Sequence, residues 1–122
     1  MIDVTDEEFQ KLIDDALGDL PGQHVKNIKN LAILYEDHPT PEQLMKGHVR
    51  PGFTLLGLYE GVPLTRRQGM EPTYPDKITL FKGPLSFKAQ SLSDLKEEIR
   101  HTLWHEIAHY YGLDHDQIRA KE

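Results

Sequence analysis

Five residues near the end of the chain have types and spacing that suit a zinc hydrolase site: His105, Glu106, His109, Gly112 and His115. Residues four apart lie on one face of a helix, so the imidazoles of His105 and His109 can bind a single ion. Glu106 lies beside them, where its carboxylate can accept a proton from a metal-bound water. Gly112 can end the helix in a left-handed conformation, after which His115 can turn back toward the ion. The spacing predicts three protein ligands.

Three ligands leave one coordination position open, and an open position is typical of catalytic zinc. Structural zinc sites are usually closed by four protein ligands, commonly thiolates, and this chain has no cysteine. With Zn²⁺ as cofactor, the reaction indicated is hydrolysis of a peptide bond by a metal-bound water, with Glu106 as the general base.

Four other histidines are predicted not to be ligands. His101 shares the helical face of His105, but it lies eight residues, or about 12 Å, from His109. One ion cannot easily bridge that span, so we expect a partly exposed side chain or an outer neighbour of the site. His24, His38 and His48 have no partner at ligand spacing and are predicted to be solvent-exposed in loops.

Two helices are predicted from capping residues and apolar spacing. Thr5 and Glu8 have the form of a capping box, and the apolar residues that follow recur at helical spacing as far as Leu20. Ser91, with Asp94 three residues on, starts a second helix, which continues through the histidine motif. Apolar residues surround the axis of its second half, which indicates a helix packed on several sides and held rigidly.

Strands are predicted between the helices, over residues 31–35, 53–59 and 77–82, with one or two helical turns over residues 41–46. Residues 61–76 are rich in glycine and proline and are predicted to form a long loop that includes Arg66 and Arg67. The fold class expected is α+β, a small mixed sheet of three to four strands packed on an N-terminal helix and a C-terminal active-site helix.

Length and charge narrow the function further. A chain of 122 residues fits a single domain over residues 1–122. Its 14 basic residues are outnumbered by 20 acidic ones, and the net charge of -6 disfavours nucleic acid as a partner. No apolar run is long enough to span a bilayer, and the first residues are acidic, so we expect no membrane partner and a cytoplasmic location. Oligomeric state is not predicted.

The motif resembles that of the zincin-like metallopeptidases, in particular a small bacterial family with the pattern HExxHxxGxxD/H. Residues 55–64 (LLGLYEGVPL) and 74–85 (YPDKITLFKGPL) also look like strands of that family. The resemblance implies a zincin-like fold and zinc peptidase activity on a peptide or protein substrate. The chain has no methionine after Met70, so it resembles a minimal zincin without the Met-turn of metzincins.

The resemblance also implies how a peptide would bind, by antiparallel addition to an edge strand of the sheet. The partner strand would be residues 77–82 or residues 53–59. Most members of the family have aspartate where this chain has His115, so Asp114 and Asp116 are rival ligands or outer neighbours. The donor that would stabilise the oxyanion is not identified, and the candidates are Tyr74, Tyr110, Tyr111 and Arg66.

Two alternatives to a peptidase remain at this stage. A metal-dependent endoribonuclease-like hydrolase can place three histidines at similar spacing, but such enzymes lack the glutamate after the first histidine. A non-catalytic binding module could use zinc only to tie the C-terminal segment to the fold. Replacing Glu106 with glutamine distinguishes a peptidase from a module.

Overall fold

The computed structural model describes residues 1–26, 28, 30–63, 75–113 and 116–117. Within these residues the chain forms five helices and three strands. In chain order these elements are α1 (Asp6–Gly18), α2 (Gly22–Val25), β1 (Leu31–Glu36), α3 (Pro41–Lys46), β2 (Gly57–Glu60), β3 (Asp76–Phe81), α4 (Lys82–Lys88) and α5 (Leu92–Tyr111). The predicted α+β fold class is confirmed.

The three strands form a mixed sheet in the order β1-β3-β2. β1 pairs with β3 in parallel, with Leu31 opposite Asp76, and β2 pairs with β3 in antiparallel, with Gly57 opposite Leu80. β3 is therefore the central strand, and both of its edges are occupied. β2 has no other described strand on its outer edge.

Helix α1 begins where the sequence predicts. The hydroxyl of Thr5 accepts from the backbone N–H of Glu8, and the Glu8 carboxylate accepts from the backbone N–H of Thr5, which completes the capping box. The helix buries Phe9, Ile13 and Ala16 against α5. It thereby supports the helix that contains the histidine motif.

Helix α5 lies at the centre of the hydrophobic core. It contacts α1, α4, β2 and β3. Along its length it buries nine residues: Leu95, Ile99, Thr102, Leu103, Trp104, Glu106, Ile107, Ala108 and Tyr110. The prediction of a helix packed on several sides is confirmed, and packing of this kind fixes the side chains of the motif in place. Within the described residues, no helix combines the length and apolar content needed to cross a bilayer.

The second predicted strand is too long at its start. The sequence predicts an extended chain over residues 53–59, whereas β2 spans Gly57–Glu60 and Phe53 is exposed. Gly52 has a positive φ of 86°, and the Phe53 N–H donates to the carbonyl of Arg50. The turn occupies the start of the predicted strand, and pairing with β3 begins at Gly57.

Two short helices are absent from the sequence prediction. α4 follows β3 directly, although the sequence predicts a strand as far as residue 82, just before Gly83 and Pro84. Proline is tolerated in a first helical turn, where backbone N–H groups need no helical partner, and the Gly83 N–H donates to the carbonyl of Asp37 instead. α2 forms after Pro21, just beyond the predicted end of the first helix at Leu20. In both segments glycine and proline lie at a helix start.

Candidate metal centre

The histidine motif places two imidazoles and a carboxylate together on α5. The ligand atoms of His105, Glu106 and His109 all lie within 4.8 Å of one another. The rings of His105 and His109 are 4.7 Å apart at an interplanar angle of 70°. Both histidines are partly buried, whereas Glu106 is only 7% exposed. The predicted grouping of these three side chains on one helical face is what the structure shows.

Glu106 is held by the edge strand. Its Oε1 atom accepts from the backbone N–H of Tyr59 at 2.9 Å and lies 3.3 Å from Nδ1 of His109. The backbone N–H of Phe81 donates to the carbonyl of Leu56, so alternate residues of β2 face β3 and the N–H of Tyr59 points outward. The carboxylate thus joins the helix to the outer edge of the sheet.

The contact with Glu106 changes the pKa of the His109 imidazole. The hydrogen bond with the Glu106 carboxylate raises the pKa of the His109 imidazole above its ordinary value, and the charge of that carboxylate acts in the same direction. Burial opposes this shift in pKa because it disfavours the charged ring. A proton and a metal ion compete for an imidazole, so Glu106 affects the affinity of His109 for both.

Gly57 allows α5 to pack close to β2. A Cβ atom at this position would lie 2.7 Å from Cγ2 of Thr102 and 3.4 Å from Cγ of Glu106. Real Cβ atoms do not show contacts of 2.7 Å, so with any side chain at residue 57 the Thr102 side chain, the helix or the strand would have to shift. Sequence reasoning missed the role of Gly57 and of the Tyr59 amide. The signal present in the sequence was a glycine inside a predicted strand, which often marks a close approach of other atoms.

The exit of α5 has the conformation that the motif requires. Gly112 has φ 83° and ψ 22°, in the left-handed region, and the N–H of Leu113 donates to the carbonyl of Ala108 at 3.0 Å. His115, the predicted third ligand, and its rival Asp114 lie outside the described residues, so the third-ligand role stays a prediction. Asp116 is described and is exposed.

The remaining histidines fall into two groups. His101, His38 and His48 are exposed, as expected. His24 is not, because it lies in α2 and stacks on Trp104 with ring centroids 3.9 Å apart and an interplanar angle of 17°. The prediction of a solvent-exposed His24 is therefore wrong. The stack depends on a tertiary contact with the residue before His105, which no local pattern reveals.

Tyr110 and Tyr111, two of the residues considered as donors to the oxyanion, both have partners within the fold. Tyr110 is fully buried, with its ring against that of Tyr59 at 6.1 Å. The hydroxyl of Tyr111 donates to the backbone carbonyl of His24. Both tyrosines thus stabilise the packing around α5 in this conformation. Tyr74 and Arg66 lie outside the described residues.

An open cleft of about 290 Å³ lies beside the cluster. One wall is formed by α5, with His101, Thr102, His105 and Glu106, and the other by residues 54–57, while Lys88 of α4 also lines it. A larger groove of about 640 Å³ contains neither His105 nor His109, and it shares only Thr54 with the cleft. We assign the chemistry to the smaller cleft because it is the one that includes His105 and Glu106.

The donor set fits a divalent transition metal. Two imidazoles and a carboxylate at these distances are ligands that zinc accepts, and they come from one rigid helix. His105 and His109 are the residues that would hold the ion. Glu106 is the least exposed of the three and is already bonded to the Tyr59 amide.

Comparison with known proteins identifies the family. Residues 28–122 match the zincin-like metallopeptidase family, so the chain belongs to that family. No curated protein matches the sequence. A solved structure of a conserved hypothetical protein from Thermus thermophilus is similar, with a TM-score of 0.56 and 20% sequence identity, over 88% of this chain and 94% of that one. That likeness concerns the fold.

Proposed function

We propose that this protein is a zinc-dependent peptidase in which His105, His109 and His115 bind the metal and Glu106 acts as the general base. Family membership supports a metal-dependent, peptidase-like function. The strongest structural support is the buried carboxylate of Glu106, which is fixed next to two imidazoles and opens onto a cleft. A buried carboxylate beside metal-binding side chains is a common arrangement in hydrolases.

Each residue would have a defined part in the reaction. Zn²⁺, when bound, supplies Lewis-acid chemistry by acidifying a water and polarising the scissile carbonyl. Glu106 would accept the proton of the attacking water at a carboxylate oxygen and later deliver it to the leaving amine. The Tyr59 N–H would keep that carboxylate oriented, because its hydrogen bond to Oε1 restricts rotation of the side chain.

The substrate would bind as an extended peptide along the outer edge of β2. Of the two strands considered from the sequence, β3 is enclosed by β1 and β2, so its edges are not available. β2 presents its outer edge beside Glu106, which is where the scissile bond must lie. Because the Tyr59 N–H donates to Glu106, the peptide would pair with outward backbone groups of β2 other than this N–H. Strand addition of this kind uses backbone hydrogen bonds and so accepts varied sequences. A cytoplasmic location remains a prediction from the sequence.

The test is hydrolysis of a set of fluorescence-quenched peptides by zinc-loaded protein, with wild type compared with Glu106→Gln. Loss of a general base costs about 10²–10⁴-fold in rate, so we expect at least a hundredfold decrease in kcat/KM with zinc retained. Glu7→Gln, which changes an exposed acid in the first turn of α1, is the matched control and should behave as wild type.

Three outcomes would contradict the proposal. Equal hydrolysis by wild type and Glu106→Gln would exclude Glu106 as the base. Zinc binding without hydrolysis of any peptide would favour the non-catalytic module. Cleavage of RNA but of no peptide by the same samples would favour the endoribonuclease-like alternative.

A further inference from the structure

We propose that one end of the cleft, formed by Lys88 and His101, binds a carboxylate of the substrate on the C-terminal side of the scissile bond. This inference rests on the proposed peptidase function and specifies its substrate class. The peptides preferred would have a carboxylate one or two residues beyond the bond that is cut.

The charge of the cleft is the first argument. Among its described lining residues, the only acid is Glu106, which bonds to the Tyr59 N–H, whereas Lys88 and His101 line the same cleft. The protein as a whole has a net charge of -6, so basic side chains in this cleft run against the overall charge. Lys88 shares its charge with Glu98, so it is the N–H donors of Lys88 and His101, rather than a net positive charge of the cleft, that can bind an anionic group.

The direction of the cleft follows from the contacts between β2 and α5. Gly57 lies against Thr102, the next contact joins Tyr59 to Glu106, and the ring of Tyr59 packs on that of Tyr110. β2 and α5 therefore run side by side in the same direction. A peptide added antiparallel to β2 runs the opposite way, so its C-terminal part lies at the Gly57 end of the cleft.

Distances along the helix place the carboxylate. His101 lies one helical turn, or about 6 Å, before His105. An extended peptide advances about 3.4 Å per residue, so this distance corresponds to one or two residues after the scissile bond. Lys88 and His101 thus lie where a group on the C-terminal side of the substrate would come to rest.

The two basic side chains can bind a carboxylate without losing their present partners. Lys88 is 56% exposed and forms an ion pair with Glu98 at 3.1 Å. An ammonium group has three N–H donors, so it can bind Glu98 and a substrate carboxylate together. The imidazole of His101 is exposed and provides at least one N–H donor in either protonation state. Exposed charges give modest affinity, so the preference should be several-fold rather than absolute.

The carboxylate can come from a chain terminus or from an acidic side chain. Beyond Thr54 the cleft adjoins the larger groove of about 640 Å³, so a longer peptide has room to continue. Both sources present the same group to Lys88 and His101, and matched peptides distinguish them.

The experiment measures binding to zinc-loaded Glu106→Gln by fluorescence anisotropy, so that the peptides are not consumed. Three peptides share a core sequence: one has a free C-terminal carboxylate, one is amidated with glutamate at the second position after the scissile bond, and one is amidated with glutamine there. We expect about fivefold tighter binding of either carboxylate peptide than of the neutral one. The difference should shrink at high salt.

Substitutions in the same background identify the residues responsible. Lys88→Met and His101→Gln should each reduce the preference, and together they should abolish it. Lys11→Met, which removes an exposed charge on α1, should leave it unchanged. Glu98→Gln removes the competing partner of Lys88 and should increase the preference, which a purely structural role for the Lys88–Glu98 pair would not produce.

Equal affinities for the three peptides, no binding of any of them, or a preference that survives the double substitution would overturn the proposal. Hydrolysis by the wild-type protein is measured separately. Cleavage without a carboxylate preference contradicts only the subsite, whereas a preference without any cleavage contradicts the peptidase function and leaves carboxylate binding intact.

Discussion

Glu106 connects helix α5 to the edge strand β2, two elements that are far apart in the sequence. Its side chain is buried, accepts the outward N–H of the edge strand and lies beside the imidazole of His109. A buried carboxylate without partners would be strongly disfavoured, so these contacts are what make its position stable. The same contacts orient the oxygen that would accept the proton.

Gly57 provides a direct test of this arrangement. Gly57→Ala places a methyl group 2.7 Å from Cγ2 of Thr102, so the Thr102 side chain must shift or α5 and β2 must separate. We expect the free energy of unfolding, measured in urea, to fall by about 1–3 kcal/mol. The kcat of the proposed peptidase activity should also fall, because Glu106 would move away from the Tyr59 amide.

A second substitution serves as the control for Gly57. Thr102→Ser removes the Cγ2 atom that the new methyl group meets, so the double variant Gly57→Ala, Thr102→Ser should recover much of the lost stability. If Gly57→Ala alone is as stable and as active as wild type, the close packing of helix and strand is not what positions Glu106.

Helix α5 positions the site through its two ends and its packing. It starts at Ser91, whose hydroxyl accepts from the N–H of Asp94 at 3.0 Å, and it ends at Gly112 in the left-handed conformation. Between them, the His24–Trp104 stack and the Tyr111–His24 hydrogen bond attach α2 to the helix next to His105. These contacts hold α5, and with it the histidine motif, in a defined orientation relative to α2.

Gly112, at which α5 ends, allows a prediction about the stability of this helix end. An alanine there must adopt a positive φ, which costs a residue with a side chain about 1–2 kcal/mol, so Gly112→Ala should lower the free energy of unfolding by that amount. Zinc affinity should fall as well if the exit directs His115 to the metal. Both quantities are measured by urea unfolding and zinc titration.

Gly18→Ala is the matched control for Gly112→Ala. Gly18 is the last residue of α1, and a Cβ there would meet no atom within 4 Å. Alanine favours the helix, so this change should be neutral or stabilising by up to about 1 kcal/mol. Equal effects of the two substitutions would show that the left-handed exit is unimportant.

The elements that the sequence predicts well are those with local signals. Capping at Thr5 and Ser91 and the glycine exit at residue 112 depend on neighbours a few residues away, and all three agree with the structure. Short apolar runs place β1 and β3 within about one residue at each end. The group of His105, Glu106 and His109 follows from helical geometry alone.

What the sequence does not reveal depends on contacts between distant segments. The stacking of His24 on Trp104 and the approach of Thr102 to Gly57 join residues far apart in the chain. Helix α4 was missed because Gly83 and Pro84 suit either a turn or a first helical turn, and the contact with Asp37 favours the helix. Composition and periodicity contain no information on such pairings.

The molecule as a whole places its candidate site where one helix meets the edge of a small mixed sheet. α1 and the sheet pack against α5, and the cleft opens between α5 and the segment that leads into β2. This architecture agrees with membership of the zincin-like family and with the fold of the Thermus thermophilus protein. The protein is acidic overall, and Lys88 and His101 are basic residues at one end of the cleft.

The most direct test is a crystal structure of the protein grown with zinc, with anomalous diffraction recorded at the zinc absorption edge. We predict one strong peak per chain, about 2.0–2.1 Å from a ring nitrogen of both His105 and His109, with Glu106 beside the ion and the imidazole of His115 as third ligand. An ion held by Asp114 or Asp116 instead would correct the third ligand alone. The absence of a peak, with the imidazoles of His105 and His109 turned apart, would contradict the metal centre and the proposed function together.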